Sequence, residues 1–204
     1  MMMTCRSAKL FLVLPDEYQP RRELPLHLRE PAEPELAFAF DIRDAVAEDL
    51  PDIREIYNYY VANSVVTFDE DAMTLREWRS KFAYLAKLQM PFIVAVSPSG
   101  QILGYALVSP WKQKRAYRYT VENSIYLRAA STGKGLGRAL ISALIERSYI
   151  AGLKEIIAVI ADSGAEASLK LHEDFGFKEI GRMGRVGFKF DRWLGTVLLQ
   201  KTLK

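Results

Sequence analysis

One segment limits the fold more than any other. Residues 122–146 read ENSIYLRAASTGKGLGRALISALIE. The first part continues an apolar run, YTVENSIYL, of the kind that makes a strand. The last part sets Leu136, Leu140, Ile141, Leu144 and Ile145 in one stripe at helical spacing, which predicts a helix over 135–151 closed by Gly152. Between them Gly133, Gly135 and Gly137 alternate with Lys134 and Leu136. The segment therefore reads as a strand handed through a glycine loop to an amphipathic helix. The loop itself is ambiguous. No Ser or Thr follows Lys134, as a GxxxxGKS/T phosphate loop requires, and alternating glycines do not fit GxGxxG. Two roles stay open. It is either a turn in which glycine supplies positive φ, or an anion site at the free N–H groups and positive dipole end of a helix, where Lys134 and Arg138 could add charge.

The rest of the chain supplies the other elements. FAFDIRDA, from Phe38, reads as a first strand. LPDIREIYNYYVAN puts Ile53, Ile56, Tyr57 and Tyr60 at helical spacing, and Thr74 with Glu77 makes a capping box before LREWRSKFAYLAKL. PFIVAVS and QILGYALVSP flank the turn PSG as a hairpin. Beyond the glycine loop, EIIAVIA is a strand, EASLKLHEDFG a short helix ending at Gly176, and FKEIGRMG and WLGTVLLQKTL two final strands. The predicted order is β-α-α-β-β-β-α-β-α-β-β. Residues 1–36 stand apart, with Pro15, Pro20, Pro25, Pro31 and Pro34 among them. They read as an N-terminal extension, extended or disordered in part, ahead of a domain over 37–204. The apolar run from Leu10 to Leu14 is too short for a signal peptide and meets Pro15, Asp16 and Glu17 at once.

Charge and cysteine usage narrow the class. With 28 Lys and Arg against 25 Asp and Glu, the chain lacks the basic excess of a nucleic-acid binder. No stretch approaches ~20 consecutive apolar residues, so no membrane span is expected. One cysteine, Cys5, and two histidines, His27 and His172, leave no disulfide framework and no expected metal centre. A soluble, cytoplasmic protein is expected.

The strand, loop and helix together resemble the coenzyme A site of the GNAT superfamily of N-acetyltransferases. There the loop usually reads Q/R-x-x-G-x-G/A, and its N–H groups hold the coenzyme A pyrophosphate. Here Thr132-Gly133-Lys134-Gly135-Leu136-Gly137 carries threonine in place of the usual arginine or glutamine. The element order from residue 38 onward matches that superfamily. IYNYYVANSVVTFDED, SPWKQKRAYRYTVENSIYL, ASLKLHEDFGF and VGFKFDRWLGTVLLQ together resemble the phosphinothricin N-acetyltransferase subfamily, which includes the methionine sulfoximine and methionine sulfone acetyltransferases. One departure is DSGAEASLKLH, where the family usually has an asparagine near Ala165 that contacts coenzyme A. The resemblance implies that Gly133, Lys134, Gly135, Leu136, Gly137 and Arg138 serve the pyrophosphate. It also implies that backbone groups of Ile125, Tyr126 and Leu127 pair with the pantetheine arm.

Acetyl transfer from a thioester to an amine needs a base for the arriving ammonium, a donor for the oxyanion and an acid for the departing thiolate. Glu122, in the mostly apolar strand TVENSIYL, is the candidate base, because burial raises a carboxyl pKa toward a useful value. The strand alone favours a glutamate facing solvent or paired with a nearby arginine. The resemblance, which has a glutamate here, favours the base. His172, in LKLHEDFGF, stands where many superfamily members carry a tyrosine that protonates the thiolate and where the subfamily has histidine. Thiolate acid, active-site hydrogen bond and structural roles all stay open for it.

WKQKRAYR brings Trp111, Lys112, Lys114, Arg115 and Arg118 just ahead of Glu122. Arg118 matches a subfamily arginine and suits a carboxylate or phosphinate, because a guanidinium fork bonds two oxygens. Lys112 occupies a place where relatives often have arginine. Phe68 and Trp111 are expected to wall the substrate pocket, although both would serve as core aromatics. GFKFDRW, with Lys189, Phe190 and Trp193, resembles a segment at the subfamily's dimer interface, so a homodimer is expected. Cys5 is a poor nucleophile candidate.

The chain is therefore read as a GNAT-fold α/β domain with a central mixed, mostly antiparallel sheet flanked by helices. Acetyl-CoA and a small amino-acid-like amine are expected to bind in one ternary complex, without metal, nucleic acid or membrane. One rival is the same fold acting on a protein N-terminus or a polyamine, the latter disfavoured by the cationic loop. A second is a coenzyme A-binding module without catalysis, against which the presence of both Glu122 and His172 speaks. A third, a nucleotide-binding kinase, lacks GKS/T.

Overall fold

Eleven elements follow the predicted order in the computed structural model, which describes residues 38–204; the expectation for residues 1–36, and Cys5 within them, lies outside the described residues. They are β1 (Asp41–Asp44), α1 (Leu50–Asn63), α2 (Leu75–Lys87), β2 (Phe92–Val96), β3 (Ile102–Pro110), β4 (Thr120–Leu127), α3 (Leu136–Ile150), β5 (Glu155–Ala161), α4 (Glu166–Asp174), β6 (Lys178–Lys189) and β7 (Arg192–Thr202). The capping box forms as expected: the Thr74 hydroxyl accepts from the Glu77 N–H at 3.3 Å and the Glu77 carboxylate from the Thr74 N–H at 2.7 Å. One boundary differs. β6 does not end at Gly184 but runs to Lys189, with an irregularity between Met183 and Gly187 where Arg185 takes φ +55°. A bulge absorbs the break that the glycine-rich text suggests.

The sheet order is β1-β2-β3-β4-β5-β7-β6, antiparallel except for the parallel pair β4–β5. Both faces are covered. Leu50, Ile53, Ile56, Trp78 and Leu85 of α1 and α2 pack on Val94, Tyr105 and Leu107. Leu136, Leu140, Ile141 and Leu144 of α3 pack on the other face, against Ile93, Ala106, Val108, Val121 and Ile156. Burial on both sides is why β2 and β3 read as continuous apolar runs rather than alternating ones. Among the described residues, no helix is long and apolar enough to cross a membrane.

The parallel pair is short. β4 meets β5 only over Thr120–Glu122 against Glu155–Ile157, yet it stays paired with β3 as far as Leu127, and β5 with β7 as far as Ala161. Beyond Glu122 the two central strands part. The far end of β4 is held on the α1 side. Tyr60 donates to the Leu127 carbonyl at 2.7 Å, and Arg128 reaches Asp52 and Glu55 on α1, both at 2.7 Å, and the Ile102 carbonyl at 2.8 Å. The end of β5 is held the other way, where Asp162 accepts from the Gly195 N–H at 3.1 Å. The split leaves the β5-facing backbone groups of residues 123–127 without a partner on β5, while the other edge of the strand stays paired with β3.

Candidate active site

The gap between β4 and β5 opens into a cavity of about 710 Å³. Glu122–Leu127 form one wall and Ala158–Ala161 the other. The glycine loop closes one end, and His172, Phe68 and Tyr60 also line the space. Gly133 and Gly135 take φ of +74° and +79°, and a Cβ at either position would meet nothing within 4 Å, so conformation rather than crowding requires glycine there. No side chain caps α3, and its first N–H groups are free. Gly133, Gly135, Gly137 and Arg138 line the cavity. Lys134 turns away, its ammonium 4.7 Å from the centre of the Phe38 ring, and the Leu136 side chain is buried in the core, so it can offer the cavity only backbone. Thr132 also acquires a role. Its hydroxyl donates to the Ala129 carbonyl at 2.8 Å and closes the turn that leads into the loop.

Glu122 faces the α1–α2 side of β4, in phase with Tyr126, whose ring stacks on Tyr105 at 5.6 Å. Burial pushes its carboxyl above the usual carboxylate range, and the ammonium groups of Lys81 and Lys112 pull it partly back. Nearby, Tyr57 donates to Asp69, and burial lifts the Tyr126 phenol to about 12, so both tyrosines stay protonated at neutral pH. Glu122 is thus a partly desolvated carboxyl beside tyrosines that keep their protons.

His172 is 4% exposed. Its Nδ1 lies 2.8 Å from the Ser168 carbonyl and its Nε2 2.8 Å from Asn123 Nδ2. A carbonyl only accepts, so Nδ1 carries the hydrogen. Burial holds the imidazole pKa below its ordinary value, the ring is neutral at pH 7, and Nε2 accepts from Asn123. Both ring nitrogens are therefore engaged within the protein. The ring stands edge-on to Phe177 at 4.9 Å.

A seven-stranded mixed sheet is thus split at its parallel pair, with a glycine loop feeding a helix beside the split. The sequence profile of the Acetyltransferase (GNAT) domain matches residues 42–198. The chain belongs to the GNAT acetyltransferases. The L-methionine sulfoximine/L-methionine sulfone acetyltransferase of Pseudomonas aeruginosa is 41% identical over 162 residues, covering 79% of this chain and 94% of that protein. The phosphinothricin N-acetyltransferase of Alcaligenes faecalis is 38% identical over 165 residues, covering 81% and 83%. Among solved structures, a GNAT superfamily phosphinothricin acetyltransferase from Sinorhizobium meliloti in complex with acetyl-CoA superposes with a TM-score of 0.77 at 41% identity, over 80% of this chain and 88% of that one.

The acetyltransferase gathers some of the expected substrate-side residues and leaves others outside. Phe68 lines the cavity, and a Cβ on Gly187 would stand 2.5 Å from its ring, so glycine is needed where the β6 strand passes the phenyl. Trp111, Lys112 and Arg118 do not line the cavity. Lys112 lies over the Trp111 ring at 4.5 Å, but its charge acts on Glu122. Arg118 is exposed, stacked on Tyr119 at 4.4 Å, and donates to the Arg115 carbonyl at 3.3 Å in its own turn. Lys189 points inward, 2% exposed, and donates to the Ser64 and Thr67 carbonyls, each at 2.9 Å. It straps the segment carrying Phe68 to the β6–β7 hairpin.

Three residues of the acetyltransferase site are not among the sequence candidates. Lys81 is the foremost cation acting on Glu122, and it also acts with Asp69. Its signal is present: it lies one turn after the buried Trp78, with its ammonium 5.1 Å from that ring, beside the apolar stripe of α2. Asn123 and Thr196 line the cavity as buried polar side chains, and nothing in strand periodicity distinguishes them from ordinary core positions. Ala165 heads α4 without a side-chain cap, while Glu166 accepts from the Gly164 N–H at 3.0 Å. Among the described residues, no group of three or more His, Cys, Asp or Glu side chains could hold a metal ion.

Proposed function

We propose that the domain over 37–204 transfers an acetyl group from acetyl-CoA to the α-amine of a small amino-acid-like substrate of the phosphinothricin, methionine sulfoximine or methionine sulfone type. The observation that carries this is the convergence of a desolvated Glu122, an unpaired β4 edge and a glycine-started helix on one cleft. The relatives named above act on such substrates. The residues present fit acetyl-CoA. The free N–H groups at Gly135–Gly137 would take its pyrophosphate, and the β5-facing edge of β4 at Ile125–Leu127 would pair with the amides of its pantetheine arm. When bound, it supplies an acetyl group activated as a thioester.

Glu122 accepts a proton from the substrate ammonium, and its raised pKa suits a base working near neutrality. The charges of Lys81 and Lys112 reach Glu122 and would favour an anionic group beside the amine. Phe68 lines the cleft and would limit the access of water to it. Direct attack in a ternary complex needs no protein nucleophile. Purified protein with acetyl-CoA should release thiol with phosphinothricin, methionine sulfoximine or methionine sulfone and not with a peptide panel. Release with peptides alone would move the reading to a protein N-terminus, and coenzyme A binding without release for any amine would leave a binding module.

The same proposal includes a homodimer acting in the cytoplasm, the latter resting on the cysteine usage of the sequence. β6 is an edge strand that exposes Ile180, Met183, Val186 and Phe188, with Phe190 exposed on the turn that follows and Trp193 exposed at the start of β7. Phe188 and Trp193 pack together at 5.3 Å, and each is about half exposed. An apolar edge of this kind is covered in stable proteins. Sedimentation equilibrium should give twice the chain mass, and Phe188→Glu with Trp193→Glu should sediment as a monomer. A monomeric wild type would remove the dimer from the reading.

A further inference from the structure

Asn123 is a buried polar residue that acetyl transfer, as derived above, leaves unused. It lies on β4 in phase with Val121, Ile125 and Leu127, which pack with the α3 face of the core. It is 8% exposed and lines the cleft. Its neighbour fixes which way the amide points. Because the Ser168 carbonyl claims the hydrogen on His172 Nδ1, Nε2 presents a lone pair, and only Nδ2 of Asn123 can face it at 2.8 Å. Reversing the amide would set two lone pairs against each other. Oδ1 is therefore turned away from the imidazole, and it is buried without a partner among the described residues. A buried acceptor left unpaired is costly, so a donor is expected when the cleft is filled. Asn123 shares its face with the glycine loop and α3, where coenzyme A is placed, rather than with Glu122, where the amine is placed. The donors nearest the thiol on that ligand are the amide N–H groups of pantetheine.

We propose that Asn123 Oδ1 accepts a hydrogen bond from a pantetheine amide N–H, and that His172 is a positioning residue that holds Asn123 in this orientation. The proposal rests on acetyl-CoA occupying the cleft. It gives the imidazole a role that requires neither gain nor loss of a proton, because both nitrogens are committed to Ser168 and Asn123 throughout.

Calorimetric titration of the full chain tests it, with coenzyme A and adenosine 3′,5′-bisphosphate, which lacks pantetheine, as probes. Asn123→Leu should weaken coenzyme A by about tenfold, one buried hydrogen bond's worth, and leave the bisphosphate unchanged. His172→Phe should weaken coenzyme A to a similar degree, and the double variant no further than Asn123→Leu, because the two act as a unit. Asn123→Ser, smaller and still an acceptor, should lie between wild type and Asn123→Leu, and it serves if the leucine variant does not fold. Unchanged coenzyme A affinity in Asn123→Leu overturns the proposal, as does equal weakening of both probes. So does a His172→Phe variant that binds coenzyme A normally and loses the alkaline limb of its kcat profile, since that marks a thiolate acid. A wild-type protein that binds no coenzyme A overturns the reading of the cleft as well.

Discussion

Glu122→Gln is expected to lower kcat by about 10²–10⁴-fold, the usual worth of a positioned general base. Glutamine keeps the size of the side chain and its place on β4 but cannot take a proton. Glu122 faces the α1–α2 side of the sheet, away from the glycine loop, so the dissociation constant for coenzyme A should stay within about twofold of wild type on the same footing. The pH dependence has a definite sign. The base works as a carboxylate, so kcat/KM in the wild type falls as pH drops through its pKa. Burial places that fall above the ordinary carboxylate range, and Lys81 and Lys112 limit how far above. In Glu122→Gln this limb should vanish and leave a low, flat profile. Steady-state rates with a responsive amine over a pH series, beside calorimetry with coenzyme A, measure both parts. Near-normal turnover in the variant would end the assignment of Glu122 as base.

Lys189→Met should have the largest effect on stability, lowering the unfolding free energy by about 2–4 kcal/mol, since a charged buried hydrogen bond is worth about 1.5–3 kcal/mol and two are lost. Methionine matches the lysine stem in length and supplies no donor, so the carbonyls of Ser64 and Thr67 lose the partners that hold them. The cost is partly offset because the variant no longer buries an ammonium. Function should shift with it. The strapped segment carries Phe68, so the KM for the amine should rise several-fold while coenzyme A affinity holds. Urea unfolding followed by intrinsic fluorescence, with substrate titrations at fixed acetyl-CoA, provides the readouts. An unfolding midpoint equal to wild type would show that the strap contributes nothing.

These two residues illustrate what a sequence can and cannot tell. Glu122 stands out in the sequence only through the resemblance: a carboxylate in an apolar strand before a glycine loop could as well face solvent, and the matching family glutamate is what singles it out. The strand–loop–helix unit around it is legible directly, since strand and helix periods are written in neighbouring residues. Lys189 reads as part of a surface segment, because a lysine among aromatic and charged residues has no local mark of burial. Its partners, Ser64 and Thr67, are more than a hundred positions away. The same limit explains why Arg118 stands out in the sequence and Lys81 does not. Arg118 is close to Glu122 along the chain but spends its guanidinium on Tyr119 and its own turn, whereas Lys81 arrives from α2. The pairing of His172 with Asn123 spans 49 positions and two element types, and no periodicity announces it. β6 reads short because glycines in a strand look like an ending when the chain has in fact inserted a bulge.

The parting of β4 and β5 has a mechanical consequence. The two halves of the sheet are joined edge to edge by only three residue pairs, Thr120–Glu122 against Glu155–Ile157, with α3 bridging from one half to the other. A ligand lying along β4 supplies rungs that the polypeptide itself omits. Cosubstrate occupancy and the rigidity of this seam are then one equilibrium seen from two sides. Ligand tightens the sheet by mass action, and anything that stiffens the seam prepares it for ligand. The protein places its weakest join at the point where the pantetheine arm of the proposed cosubstrate would complete it.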